Sequence, residues 1–181
     1  MGDGARLRTL RIGPREPGPH PTILIRTPYG IGWVFPFPMA RLAARLFAER
    51  GYQVVLQDTR GRYGSQGTFY PFVHEREDGA VTLDWIGEQP WFDGRLAMWG
   101  GSYFGYTQWA VAASAPQFLK AIVPIVTSTD FHGFFYPGGA FSLISALRWA
   151  AGNGEKRSIR VSERRLPAAS NTHRRSPLSA L

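Results

Sequence analysis

Four short apolar runs recur along the chain: Thr22-Ile23-Leu24-Ile25-Arg26-Thr27, Val54-Val55-Leu56, Arg95 to Trp99, and Ala121 to Val126. Runs this short and lacking polar alternation, three of them rich in β-branched residues, suit strands buried on both faces. Stretches of helical spacing separate them. Strand, helix, strand, helix in that alternation predicts an α/β fold, a mostly parallel sheet with helices on both faces and right-handed crossovers.

The first helix is expected where Met39, Leu42, Ala43, Leu46 and Phe47 recur, with Gly51 ending it in a left-handed turn. A second is expected from His74 to Glu88 around Val81, Trp85 and Ile86, and a third from Tyr103 to Ser114, where Ala110, Ala112 and Ala113 suit close packing on a sheet. A short fourth covers Phe141 to Ala150. Residues 5–21 mix Arg, Gly and Pro and allow at most a short edge strand, while Pro124 limits the ladder of the last strand on one side.

In such sheets ligands gather at the carboxyl ends of the strands. Tyr29, Asp58 and Ser102 each fall just past such an end. The last of these sits in Leu96-Ala97-Met98-Trp99-Gly100-Gly101-Ser102-Tyr103-Phe104-Gly105, which passes from strand through two glycines into a helix. A serine on a tight strand-to-helix turn exposes its hydroxyl above the sheet, as acyl transfer needs, and directs the next N–H toward a developing oxyanion. Ser102 is therefore the candidate nucleophile; the other reading makes it a helix N-cap. A general G-x-S-x-G elbow would place glycine at 104, where this chain has Phe104, with Gly105 next.

At 181 residues and 44% hydrophobic, the chain can bury one sizeable core. It has no cysteine, which excludes disulfides, thiolate metal sites and a thiol nucleophile. No run reaches membrane-span length and the N-terminus lacks a signal-peptide core, so a cytoplasmic protein is the expectation. Four scattered histidines suggest no metal site. The loop Asp58 to Gly67 is glycine-rich, but no Gly-Lys-Ser/Thr follows and no helix opens from it, which argues against nucleotide binding. No cofactor is expected.

The formal net charge of +8 is uneven. Residues 152–181 hold seven Lys/Arg against two Asp/Glu, and no aromatic lies among the arginines to stack on bases. Residues 1–150 are read as the folded domain and 151–181 as a basic, disordered tail. No specific nucleic-acid partner is expected.

Several segments together resemble the X-Pro dipeptidyl-peptidase and cocaine-esterase (CocE/NonD) hydrolases. They are Arg26-Thr27-Pro28-Tyr29-Gly30, Asp58-Thr59-Arg60-Gly61 with Gly64-Ser65 and Gly67, Asp84-Trp85, and Gln89-Pro90-Trp91. Gly94-Arg95, Gly100-Gly101-Ser102-Tyr103-Phe104-Gly105 and Thr107-Gln108 complete the set, in order, over roughly residues 20–135. This family's own elbow is G-x-S-Y-x-G, which accounts for the glycine at 105. The resemblance implies an α/β-hydrolase fold, Ser102 as nucleophile, and an oxyanion hole made by the Tyr103 N–H and the Tyr29 phenol. The implied substrates are small esters, amides or peptides.

A serine nucleophile needs a base and an orienting carboxylate, in this fold ordered Ser, acid, His. After Ser102 the acids are Asp130, Glu155 and Glu163, and the histidines are His132 and His173. Asp130 and His132 are two residues apart, a poor spacing for one to orient the other, and His173 lies in the tail. The family's acid and histidine come beyond a helical cap that this chain lacks. The chain thus reads as the N-terminal part of such a hydrolase, cut after the strand that follows the elbow, with little turnover and an exposed sheet edge expected. The alternative is a non-catalytic fragment whose arginine-rich tail binds polyanions. Oligomeric state is not fixed by these residues.

Overall fold

A computed structural model describes residues 1–31 and 39–153 of the chain. The strands are β1 (Thr9–Ile12), β2 (His20–Thr27), β3 (Gln53–Asp58), β4 (Phe92–Gly101) and β5 (Leu119–Ile125). The helices are α1 (Met39–Ala48), α2 (Glu75–Gly87), α3 (Tyr103–Ala112), α4 (Phe131–Phe135) and α5 (Leu143–Asn153), with a 3-10 turn at Pro137–Gly139. One sheet holds all five strands in the order β1-β3-β2-β4-β5. β1 runs antiparallel to β3; the other pairings are parallel.

Alternate residues of the central strands feed two cores. Ile23, Ile25, Val54 and Leu56 face Ala40 and Ala44 of α1. Leu24, Val55, Leu96 and Met98 face Leu83 and Ile86 of α2 and Val111 of α3. Helices therefore cover both faces, and β2 and β3 are buried on both sides as their apolar runs require.

Two helices present a different stripe from the one expected. In α1 the buried positions are Ala40, Ala44 and Ala48, while Leu42 and Leu46 are exposed. Small residues at i, i+4 and i+8 let the helix backbone approach the sheet, and close packing outweighs the larger area the leucines offered. In α2, Val81 and Trp85 are exposed and the buried positions are Glu75, Asp78, Gly79, Thr82, Leu83 and Ile86. Half of that face is polar because it meets polar side chains: Glu75 meets Arg26, Asp78 meets Arg60 and Thr82 meets Gln57. α5 runs to Asn153, past the expected boundary at 150.

The chain leaves β2 for β3 on one side, then crosses to β4 on the other. The order therefore reverses between β2 and β4, which are hydrogen-bonded neighbours. A crevice opens outside the carboxyl ends of strands at such a reversal. Tyr29 follows β2 and Ser102 follows β4, so both stand over it.

Candidate active site

Ser102 has φ 54° and ψ −126°, a conformation that side-chain-bearing residues avoid. Its neighbours over-determine it. The Ser102 N–H donates to Ile125 O at 2.8 Å, and the Ser102 carbonyl accepts from the N–H groups of Gly105 and Tyr106 at 3.0 and 3.2 Å. Gly100, at φ +149°, has no room for a Cβ against the Phe104 ring, and a Cβ at Gly105 would stand 2.8 Å from Thr127. The glycine at 105 is therefore where α3 passes the segment after β5, a requirement of packing and not of the turn itself.

Of the two readings of Ser102, the side chain distinguishes them. It makes no capping bond to α3. It is exposed, and its Oγ lies 3.2 Å from the Tyr29 hydroxyl. Residues 73 positions apart are thus brought together above the sheet. Tyr103 is the first residue of α3, so its N–H has no intrahelical acceptor.

The Tyr29 loop is staked from below. Tyr29 N–H donates to Thr27 Oγ1 at 3.1 Å, Ile31 N–H to Asp58 Oδ1 at 2.8 Å, and Arg62 Nε to the Pro28 carbonyl at 3.0 Å. Asp58 is fully buried, and Arg8 lies 3.7 Å from its second oxygen. Burial outweighs that charge and the Ile31 N–H, pushing the carboxyl up to about 6. Asp58, expected at a strand end near the site, thus holds the loop that carries Tyr29.

Gln108, fully buried on α3, reaches back into the sheet. Its Nε2 donates to the carbonyls of Gly100 and Val123 at 3.2 and 3.3 Å, and its Oε1 accepts from the Val123 N–H at 2.8 Å. A side-chain amide therefore joins β4 and β5 directly beneath the turn.

Sequence reasoning missed three contributors. A cavity of about 180 Å³ opens beside Ser102, walled by Phe72, Tyr103, Phe131, Phe134 and Trp149. The pocket lining was expected to come from elsewhere in the fold; here these residues form an aromatic wall beside Ser102. Trp149 Nε1 donates to the Tyr29 hydroxyl at 3.4 Å. Arg26 and Glu75 are also unanticipated as a pair. A charged side chain inside an apolar strand run was the available signal, since a buried charge must find a partner.

The remaining candidates lie elsewhere. Asp130 caps α4, its Oδ1 accepting from the Gly133 N–H at 2.9 Å. His132 stacks on Tyr136, His20 bonds the Glu16 carbonyl, and His74 lies near Glu77. Among the described residues no histidine bonds Ser102 Oγ. Glu155, Glu163, His173 and the tail arginines fall outside the described residues, as does the polyanion reading that rests on them. Among the described residues no cluster of three His, Asp or Glu could hold a metal ion, and no helix is long and apolar enough to cross a membrane.

A model of the X-Pro dipeptidyl-peptidase (S15) family matches residues 3–179. The chain belongs to that family. It is 42% identical over 153 residues to a cocaine esterase of Rhodococcus sp. (strain MB1 Bresler), covering 83% of this chain and 27% of that protein. Among solved structures it is similar to an alpha-amino acid ester hydrolase, at 30% identity and TM-score 0.58, covering 69% of this chain and 24% of the other. A CocE/NonD family hydrolase from Staphylococcus aureus superimposes with TM-score 0.69 at 24% identity, over 87% of this chain and 32% of that one. The fold is thus of the α/β-hydrolase type, and the relatives are hydrolases. This S15 chain spans about a quarter of the length of the cocaine esterase it matches.

Proposed function

We propose that this chain carries the nucleophile-bearing part of a serine hydrolase that transfers the acyl group of a small ester, amide or peptide. The observation that carries the reading is the approach of the Tyr29 hydroxyl to Ser102 Oγ at 3.2 Å, over a strained turn at the sheet's reversal point. Attack by Ser102 Oγ on a carbonyl carbon would turn the carbonyl oxygen into an alkoxide. The Tyr103 N–H and the Tyr29 O–H then act as its two donors, the phenol oxygen itself accepting from Trp149 Nε1. The S15 family and the esterase relative support the acyl-transfer class.

Attack also requires a group that takes the Ser102 proton. Since no described histidine bonds Ser102, we infer low turnover from the chain as it stands. The test pairs fluorophosphonate labelling with p-nitrophenyl acetate hydrolysis, comparing the parent with Ser102→Ala and Tyr29→Phe. Slow labelling confined to Ser102, slower still by about 100-fold in Tyr29→Phe, is the expected result. Labelling that survives Ser102→Ala would sink the assignment, and rapid Ser102-dependent turnover would overturn the inference of a missing base.

A further inference from the structure

Beneath the cavity lies a buried chain of contacts that acyl transfer does not itself call for. Arg26, in the middle of β2, is fully buried. Its Nε donates to Gln57 Oε1 and its Nη1 to the Glu75 carbonyl, both at 2.9 Å, and its Nη2 lies 3.3 Å from Glu75 Oε2. Gly79 makes room for the guanidinium, since a Cβ there would meet Arg26 Nη1 at 2.9 Å. The other Glu75 oxygen accepts from the Tyr103 hydroxyl at 2.8 Å. Burial and the facing carboxylate push the Tyr103 phenol up, so it stays a donor.

That hydroxyl has a second partner. The Phe72 N–H donates to Tyr103 Oη at 2.8 Å, and the Phe72 carbonyl accepts from Tyr106 Oη at 3.2 Å. Phe72 has φ 68°, a left-handed conformation that a phenylalanine does not hold unaided. Two tyrosine hydroxyls from α3 clamp the backbone on both sides of the strained residue. The ring so placed stacks on Tyr103 at 4.8 Å and on Trp149 at 5.7 Å, and it walls the cavity beside Ser102.

We propose that Tyr103, anchored from below by the Arg26–Glu75 pair, is the positioning residue that sets the Phe72 wall and thereby the cavity's selection for a flat aromatic group. One residue then serves two ends: its backbone stands beside the nucleophile, and its side chain shapes what sits there. Assigning the cavity to substrate rests on the acyl-transfer reading; the construction of the wall does not.

The experiment uses the full chain, with Tyr103→Phe, Glu75→Gln and Phe72→Ala beside the parent, and 4-fluorobenzamide as an unreactive probe followed by fluorine NMR. Tyr103→Phe keeps the ring and removes only the hydroxyl. Its Phe72 amide should exchange at least about tenfold faster while the β3 amides keep their protection, and probe affinity should fall about tenfold. Phe72→Ala should lose as much affinity, and Glu75→Gln should lose less. A folded Tyr103→Phe with unchanged Phe72 exchange or unchanged affinity would overturn the proposal, as would a parent that does not bind the probe. If Tyr103→Phe fails to fold, Glu75→Gln decides, since unaltered Phe72 exchange there would break the chain of contacts. Failure of fluorophosphonate to label Ser102 would remove the hydrolase reading alone and leave these binding and exchange results to judge the wall.

Discussion

The flank of the sheet built from β2 and β3 and the flank built from β4 and β5 come from similarly apolar sequence, yet they meet different environments. Every residue of β3 is buried, and none of β5 is. β3 lies between β1 and β2 with α1 against one face, whereas β5 has β4 on one side only. Val123 and Ile125 remain 45% and 41% exposed. Apolar composition sets the tendency to form a buried strand; the number of neighbours decides whether burial is reached. The candidate site lies on the seam between the two flanks, with Tyr29 contributed by the enclosed one and Ser102 by the open one.

That contrast can be broken or sharpened by substitution. The largest effect is expected from Arg26→Met, which leaves Glu75 as an uncompensated buried charge and should cost about 3–5 kcal/mol in urea unfolding. Leu56→Ala, in the enclosed flank, should cost about 2–5 kcal/mol by the same measurement.

Asp58 adds a pH-dependent component to that flank. Its carboxyl is raised from 3.8 to about 6, so between those values the folded chain binds its proton more tightly than the unfolded chain. Its contribution to stability is therefore greatest near pH 4, falls as pH rises, and levels off above about 6. Asp58→Asn keeps an acceptor for the Ile31 N–H and should remove that slope, a difference on the order of 2–3 kcal/mol across the window by unfolding at stepped pH.

On the open flank, Gln108→Leu strands the Val123 N–H and two carbonyls and should cost about 1–3 kcal/mol, with slower labelling of Ser102. Val123→Ser should change stability by no more than about 0.5 kcal/mol. If Val123→Ser cost as much as Leu56→Ala, the contrast between flanks would be void.

Periodicity alone located the five elements that frame the site, because strand runs and helix spacings are local properties. The strand-to-helix turn at Ser102 was legible for the same reason: two glycines and a serine between a strand and a helix leave few conformations. Which stripe of α1 would face the sheet was not legible. Leu42 and Leu46 gave the stronger apolar signal, but Ala40, Ala44 and Ala48 allow the closer approach, and that advantage exists only once the sheet is present. The buried half of α2 was hidden for a related reason, since Glu75 and Thr82 look like surface residues until Arg26 and Gln57 are opposite them. Phe72 and Trp149 belong to the site through long-range stacking, which leaves no mark in local spacing.

The open side of β5 is less inviting to a further strand than its exposure suggests. Ile125 O points to β4, where it accepts from Ser102, so by alternation the backbone of Pro124 points away from the sheet and offers no N–H there.

The carboxamide of Gln108 has a consequence for how much of the molecule the Ser102 turn depends on. By standing in for a rung between β4 and β5, it makes α3, the end of β4 and the end of β5 a self-contained bracket, tied across its own interior rather than to whatever lies outward of β5. A segment that follows this bracket meets a Ser102 turn whose strained φ and ψ are already held from within.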